Sequence, residues 1–373
     1  MFHSLPVLMY HSISRFTHRL CVSPELFDDQ CRALGKAGWR GVSLAEAEDY
    51  FLRKRRLPRK TLLLTFDDGY LDNYANAEPI LRAHGHNGVV FTVIGLMDTN
   101  DILRPTMNDT DMSAFSTPLP DLDTRAPVRR DTGYRVTPII FCSWKELAAM
   151  RQRGAMDVAP HSMRHHRVIT GLNFSRLYAP NNRYSFFDVS PHAAVWGMPR
   201  FPLKHGLANR GYILEPELYT LVTQMVPQQP KEAQAFLSEE KNRQAVMAEI
   251  KKLPRLGVLE TEEQYRKRLA DEFTACRETY ETRLGLSPKS FCWPWGSYTP
   301  IALEEARKAG FRVFFATLRG MNPYGNADAV CRIAIRGGSG PELLKRVRRA
   351  SSSLRELPFE IYRWGKKLSA RFS

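Results

Sequence analysis

Three segments of the sequence place acidic or imidazole side chains directly after apolar runs. His11 follows VLMY, Asp67 and Asp68 follow LLLTF, and His161 follows MDVAP. Short apolar runs of this kind are typical of buried strands. Because the loops at the carboxyl ends of parallel strands converge on one mouth of an α/β barrel, we expect these four side chains to share one site.

The adjacent carboxylates of Asp67 and Asp68 would repel each other unless a cation lies nearby. The segment HSMRHH could help to bind one, because His161 and His165 are four residues apart and can face one point from a helical turn or a tight loop. Two histidines and one carboxylate form a three-ligand metal site with open positions for water and substrate. One aspartate would then bind the metal and the other would act as a base.

Each motif also has a plain structural interpretation. A DDG sequence after a strand can be only a turn, since Asp and Gly are turn residues. His161 and His165 can be ordinary surface histidines, and His166 leaves the ligand assignment ambiguous by one position. His11 alone is more typical of a core or loop histidine. The three motifs together favour a metal site.

Alternating strand and helix patterns support this arrangement. Predicted strands cover residues 7–10, 39–42, 61–66, 89–94, 156–159, 290–293, 311–316 and 330–335, and predicted helices begin at residue 24 and cover residues 74–83, 144–153, 231–252, 260–284 and 301–309. This alternation is typical of a parallel α/β sheet or barrel. Residues 98–137 and about 172–230 lack clear periodicity, and we expect long excursions from the core there.

Composition and charge limit the class of binding partner and the cellular compartment that we expect for this protein. The formal net charge of +15 indicates an anionic partner, but no nucleic-acid-binding motif accompanies it. The six cysteines are widely spaced without a CxxC pair, which predicts reduced and mostly buried thiols. The N-terminal segment lacks the features of a signal peptide, and no apolar run approaches the length of a membrane span. We therefore expect a cytoplasmic protein.

At this point the sequence resembles the polysaccharide deacetylases, the NodB-homology family grouped as carbohydrate esterase family 4. TFDDGY matches the first motif of that family, HSMRH the second, and FCWPWGSY at 291–298 is similar to the third. The chain is most similar to the poly-β-1,6-N-acetylglucosamine deacetylase branch, in which the motif order is rotated. The resemblance lies in VLMYHSI near the start, in residues 23–44, and in GFRVFFATLRGMNP with RIAIRG near the end of the domain. The resemblance covers about residues 5–96, 141–170 and 260–338.

The resemblance implies a distorted (β/α)7-type barrel over residues 1–340, with insertions at about 98–137 and 172–258. It implies that Asp67 is the general base, that His11 is the general acid, and that Asp68, His161 and His165 bind the metal, with zinc most expected and cobalt, nickel or iron possible. The third motif would bind substrate through Trp293, Pro294, Trp295, Gly296 and Tyr298, and a backbone N–H near Trp295 would stabilise the oxyanion.

The sequence departs from the family pattern at two places. Trp293 occupies the stretch where the family usually has an arginine that orients the base, so Arg332 is our candidate for that task. His166 replaces the common proline after the second metal histidine. Trp293, Trp295 and Tyr298 can also be core aromatics rather than a surface on which a sugar packs.

Residues 341–373 form a basic tail with nine Lys or Arg residues against three Glu. Five apolar residues recur at spacings of three and four, which predicts an amphipathic helix: Leu357, Ile361, Trp364, Leu368 and Phe372. Such a tail would lie on an anionic membrane surface, and the alternative is a helix that packs on the barrel. A peripheral position at the inner membrane surface would suit a lipid-linked substrate.

The sequence supports three functional hypotheses. The first is a metal-dependent hydrolase that removes N-acetyl from an aminosugar of a surface glycan or a lipid-linked glycan precursor. The second is a deformylase of a lipid-linked formamido sugar, and the third is a catalytically silent glycan-binding protein. The intact set of acidic and imidazole residues disfavours the third.

Overall fold

The structure is a computed structural model that describes residues 4–15, 18–109, 141–180 and 195–351, and the backbone pairing of 128–129 with 135–136. Seven parallel strands in this part of the chain surround the main core. They are β1 Val7–Tyr10, β2 Thr61–Asp68, β3 Gly88–Thr92, β4 Met156–Pro160, β5 Ser290–Cys292, β6 Val313–Phe315 and β7 Ile333–Ala334.

The strands follow one another around a barrel. Strand pairing runs in the order β7, β1, β2, β3 and β4, and β5 pairs with β6. β4 packs beside β5, and a parallel bridge joins Phe315 at the end of β6 to Val330, just before β7. The strands β1, β2 and β3 are buried along their whole length, as expected where helices cover a parallel sheet. The architecture is the predicted (β/α)7-type barrel.

Ten α-helices occur in the described chain. They are α1 Pro24–Lys36, α2 Leu44–Phe51, α3 Glu78–Ala83, α4 Trp144–Arg153, α5 Pro216–Met225, α6 Pro230–Ser238, α7 Glu240–Lys252, α8 Glu262–Leu284, α9 Pro300–Lys308 and α10 Gly340–Ala350.

Local sequence determines where several helices begin. Ser43, Ser143 and Thr261 each form a capping box with the Glu or Gln three residues later, which satisfies two backbone N–H groups at the helix start. The long helix α8 buries its predicted apolar stripe, including Leu269, Phe273, Cys276 and Tyr280, in the main core.

Shorter elements connect these helices and strands. They are the strands Ser12–Ile13, Cys21–Val22, Arg40–Gly41, Val128–Arg129, Arg135–Val136, Arg167–Ile169, Leu203–His205, Tyr212–Leu214 and Gly257–Leu259, the π-helix Asn73–Ala77, and the 3₁₀ turns Ile94–Leu96, Gly206–Ala208 and Pro294–Gly296.

The second insertion is more regular than the sequence predicts. Between residues 195 and 259 the chain forms one antiparallel strand pair, a further strand that pairs with Arg167–Ile169, and the helices α5, α6 and α7. These helices enclose a separate apolar cluster that includes Leu218, Val222, Val246 and Ile250. The expectation of irregular structure is therefore wrong for 203–225. Residues 181–194 and most of the first insertion lie outside the described residues.

The beginning of the basic tail packs on the barrel. The buried face of α10, Leu343 and Val347, joins the main core beside α1, and the Gly340 N–H donates to the Asp29 carboxylate at 2.8 Å. For α10, the structure therefore agrees with the alternative in which the tail helix packs on the barrel. The predicted stripe from Leu357 to Phe372 lies outside the described residues.

Two further expectations concern the thiols and membrane spans. All six cysteines are free; Cys21 is partly exposed and the other five are buried, which confirms that the thiols are mostly buried. Within the described ranges, no helix combines the length and apolar character needed to cross a bilayer.

Candidate active site

The predicted acidic and imidazole residues meet at the carboxyl ends of the barrel strands. Asp67 and Asp68 are the last residues of β2, His161 follows β4, and His11 follows β1. Asp67, Asp68, His161 and His165 are each at most 5% exposed, whereas His11 is partly exposed. The barrel thus assembles one site from segments about 150 residues apart, as the strand positions predict.

Asp68, His161 and His165 form a group that could hold a metal ion. The Nε2 atom of His161 lies 3.7 Å from Asp68 Oδ1, and the Nε2 atom of His165 lies 3.8 Å from the same oxygen. Two ligand atoms that each lie about 2 Å from the same ion are themselves somewhat less than about 4 Å apart, which agrees with these two separations. The donor set of two imidazoles and one carboxylate therefore fits a divalent transition metal.

A second group, Asp67, His161 and Cys292, also brings potential ligands together. Hydrogen bonds disfavour it. His161 Nδ1 lies 2.8 Å from the Cys292 carbonyl oxygen, so the other ring nitrogen is the one available on the side of Asp68. Both oxygens of Asp67 are engaged by Arg332, and burial raises the pKa of the Cys292 thiol. Asp68, His161 and His165 are thus the better candidate ligands.

Arg332 forms a bidentate ion pair with Asp67. Its Nη1 donates to Asp67 Oδ1 at 2.6 Å and its Nη2 to Oδ2 at 2.9 Å, while its Nε donates to the Ala316 carbonyl at 2.9 Å. Both side chains are buried. Although burial opposes ionisation, Arg332 and the nearby histidines hold the pKa of Asp67 well below its usual range. Asp67 is therefore an ionised and fixed carboxylate.

The neighbouring Asp68 has the opposite electrostatic environment. Burial and the charge of Asp67 raise the pKa of Asp68 to about 7. Burial lowers the pKa of His161 to about 4 and that of His165 well below its ordinary value. Neutral imidazoles can bind a metal ion through a ring nitrogen. A cation bound beside Asp68 would also favour the ionised form of its carboxylate, so this electrostatic environment suits a metal site.

Backbone strain is concentrated at the same place. In the described chain, six residues other than glycine have a positive φ, and four of them belong to the site: Asp68, Ser162, His165 and Trp295. Left-handed backbone conformations are costly for such residues and persist where the surroundings enforce them. Gly69, which follows Asp68, also has a positive φ of 83°, and its missing side chain leaves space for Met97.

Contacts around the ligands fix their orientation. The Tyr70 hydroxyl donates to Asp68 Oδ2 at 2.9 Å. In the HSMRHH loop, the His165 N–H donates to Ser162 Oγ at 2.9 Å, and the Met163 N–H donates to Glu272 of α8 at 2.7 Å. Such outer contacts determine how metal ligands are aimed.

The structure removes the ambiguity between His165 and His166. The ring of His166 packs against Gly206 of the second insertion, and the Gly206 N–H donates to the His166 carbonyl at 3.0 Å. His166 therefore contacts the insertion, whereas His165 faces Asp68.

The third motif divides into a core part and a site part. Trp293 is fully buried, stacks on Tyr298 and Phe314, and contacts Phe273, so it cannot contact a substrate in this structure. Its assignment to substrate binding is wrong, because the end of β5 directs this ring into the core. Pro294 is also buried, whereas Trp295, Gly296 and Tyr298 are partly exposed.

Trp295 connects the metal-ligand candidates to the second insertion. Its ring centroid lies 4.0 Å from the ring centroid of His165. The same indole ring stacks on the His205 ring, with 4.3 Å between the centroids and an angle of 10° between the ring planes. The Arg167 guanidinium lies 5.2 Å from the centre of the Trp295 ring, and His205 Nδ1 lies 2.8 Å from Ser297 Oγ. Arg167 and His205 face each other in an antiparallel strand pair.

Sequence reasoning missed several of these contributors. His205 lies in a stretch without clear periodicity, and Glu272 lies on a helix predicted only from its apolar stripe. Tyr70 is part of the TFDDGY segment, and its polar group beside the paired aspartates is the one signal that could have identified it.

Comparisons with known proteins agree with this fold. The polysaccharide deacetylase family model matches residues 54–184. The poly-β-1,6-N-acetyl-D-glucosamine N-deacetylase of Escherichia coli K12 is 21% identical over 307 residues, 82% of this chain and 32% of that protein. The chain thus spans about a third of the length of the curated relatives it matches.

Two solved structures share the fold. A de-N-acetylase from Aggregatibacter actinomycetemcomitans matches with a TM-score of 0.58 and 19% identity, over 92% of this chain and 99% of that one. IcaB from Ammonifex degensii matches with a TM-score of 0.53 and 19% identity, over 94% and 98% of the two chains. Residues 54–184 therefore match the polysaccharide deacetylase family model, and the described chain shares its fold with these two structures.

Proposed function

We propose that this chain is a metal-dependent hydrolase that removes the N-acetyl group from an aminosugar of a surface glycan or of a lipid-linked glycan precursor. The observation that carries the proposal is the pairing of two different carboxylates at the end of β2. Asp68 lies within 3.8 Å of two imidazole nitrogens, while Asp67 is held ionised by Arg332. A ligand and a base side by side are what hydrolysis by activated water requires.

Asp68, His161 and His165 would hold the metal, for which zinc suits the donor set best, with cobalt, nickel or iron as alternatives. Such an ion would polarise the acetyl carbonyl and lower the pKa of water. Asp67 would remove a proton from the water that attacks the acetyl carbon. The bidentate contact with Arg332 keeps that carboxylate aimed and deprotonated.

His11 would donate a proton to the departing sugar amine. Burial lowers the pKa of His11 to about 4, whereas the carboxylate of Asp67 favours its protonated form. Negative charge that develops on the carbonyl oxygen during the reaction would favour that form further. The backbone N–H of Trp295, in its strained conformation, would stabilise this oxygen.

Two aspartate variants test the assignment. Asp67→Asn should retain metal by elemental analysis but lose acetate release from N-acetylglucosamine oligomers by a factor of about 10² to 10⁴, whereas Asp68→Asn should lose metal and activity together. Asp157→Asn is the matched control, because Asp157 is a β4 residue whose carboxylate accepts the Leu44 N–H at 2.8 Å outside the metal group. Full activity of Asp67→Asn would contradict the role of the base.

Product analysis separates the remaining alternatives. Release of acetate supports the deacetylase, and release of formate from a formamido sugar would identify a deformylase. A protein that binds metal and glycan oligomers without releasing either acid would be the silent glycan-binding protein. Each outcome is read from the same incubation by chromatography of small acids.

We also propose that residues 341–373 make peripheral contact with the inner, cytoplasmic surface of an anionic membrane. The support is the charge of this segment and the row of exposed cations on α10, which include Lys345, Arg348 and Arg349. Sedimentation with phosphatidylglycerol vesicles in low salt tests the contact, and a failure to sediment would contradict it.

A further inference from the structure

Three arginines from two distant segments surround one surface cavity. The cavity has a volume of about 420 Å³ and lies between β7, α10 and the chain that follows β6. Arg346 and Arg349 belong to α10, and Arg319 belongs to the segment after β6. The remaining lining is Gly320, Ile333, Ala334 and Ala350, so no carboxylate lies among the described residues that line it.

Some exposed arginines of this chain pair with acidic side chains, as Arg40 does with Glu46 and Arg307 does with Asp328. Arg319 and Arg346, in contrast, form no ion pair with a carboxylate in the described part of the chain. The like charges of Arg319 and Arg346 repel each other, and an anion between them would remove this repulsion.

The arginines also lie close together on a fixed support. Arg346 Nη2 donates to the Ala334 carbonyl at 2.7 Å, which holds its side chain against β7. Burial lowers the pKa of Arg346, and the charge of Arg319 lowers it further, so the two guanidiniums interact. The packing of α10 on α1 prevents the helix from turning its cations elsewhere.

We propose that Arg319, Arg346 and Arg349 form a binding site for a phosphate ester. Guanidinium groups offer planar pairs of N–H donors that match phosphate oxygens. Ile333 and Ala334 give the cavity an apolar edge, and Leu318, which precedes Arg319 in the chain, is 42% exposed. Such an edge suits a phosphate ester that carries a lipid, and the three donors alone suit a soluble one.

Titration calorimetry of the full chain with glycerol 3-phosphate tests the site. Arg319→Gln should weaken binding at least tenfold. Arg283→Gln is the matched control, because it removes the same charge from an exposed residue of α8 that neither lines the cavity nor belongs to the basic tail. That control should change the affinity less than twofold. Both variants alter surface residues, and equal melting temperatures would exclude misfolding.

Vesicle binding distinguishes the source of the phosphate. The same two variants are compared by sedimentation with phosphatidylglycerol vesicles and with phosphatidylcholine vesicles. A selective tenfold loss for Arg319→Gln on phosphatidylglycerol only, with no glycerol 3-phosphate binding by the wild type, identifies a lipid headgroup. A selective loss on glycerol 3-phosphate identifies a soluble ester, and either result supports the site. Equal losses for both variants, or no binding to either probe, overturn it.

Discussion

Breaking the Asp67–Arg332 pair should destabilise the protein strongly and reveal a direct coupling between the two residues. Arg332→Met removes two short charge-assisted hydrogen bonds, at 2.6 and 2.9 Å, and leaves a buried carboxylate without its cation. Loss of one partner from a buried ion pair costs about 3–5 kcal/mol. We therefore expect the free energy of unfolding to fall by about that amount.

A double-mutant cycle measures the coupling. Asp67→Asn alone leaves Arg332 buried beside a neutral group, and the double variant removes both charges. The double variant should therefore cost about 2–3 kcal/mol less than the sum of the single variants. Urea unfolding followed by circular dichroism gives the four free energies. Additivity within about 0.5 kcal/mol would refute the ion pair as the support of the base.

A second buried pair in the same chain provides the control for function. Arg104 donates to Glu146 through Nε at 2.8 Å and through Nη2 at 2.7 Å, and both side chains are buried. Arg104→Met and Glu146→Gln should show a similar coupling in stability. Acetate release per folded protein should be unchanged in the Arg104→Met variant and should fall at least a hundredfold in Arg332→Met.

Two further variants test a contact that aims the ligand and an ion pair at the start of a helix. Tyr70→Phe removes the hydrogen bond to Asp68 and should weaken metal binding by about 10- to 100-fold. A competition titration with a chelator measures the metal affinity, and an unchanged affinity would contradict the role of Tyr70 in positioning Asp68. Glu46→Gln keeps the capping box, which Gln can also form, but removes the ion pair with Arg40, and should lower the free energy of unfolding by about 0.2–1 kcal/mol at pH 7. The hydrogen bond from Arg40 is the main cause that lowers the pKa of Glu46 from 4.5 to about 2, so the carboxylate stabilises the fold above pH 4.5 and this stabilisation is lost as pH falls towards 2. The difference between the two proteins should therefore shrink at low pH, and a constant difference would contradict this origin.

Local patterns in the sequence determined most of the barrel's elements. The apolar runs before His11, Asp67 and His161 are strands in the structure, and α4 has the predicted bounds of 144–153. These features depend on residues a few positions apart, such as the side chains of one strand face or a cap and its partner, and such relations are readable without the fold.

Only the tertiary structure decided which distant groups meet. Arg332 is 265 positions from Asp67, and its partner is fixed by the position of β7 two strands from β2 in the sheet. The same packing buries Trp293, which a motif alone cannot distinguish from its partly exposed neighbour Trp295. It also brings His205 of the insertion onto Trp295. Contacts of this kind follow from how strands and insertions close around a common core, and no short-range periodicity encodes them.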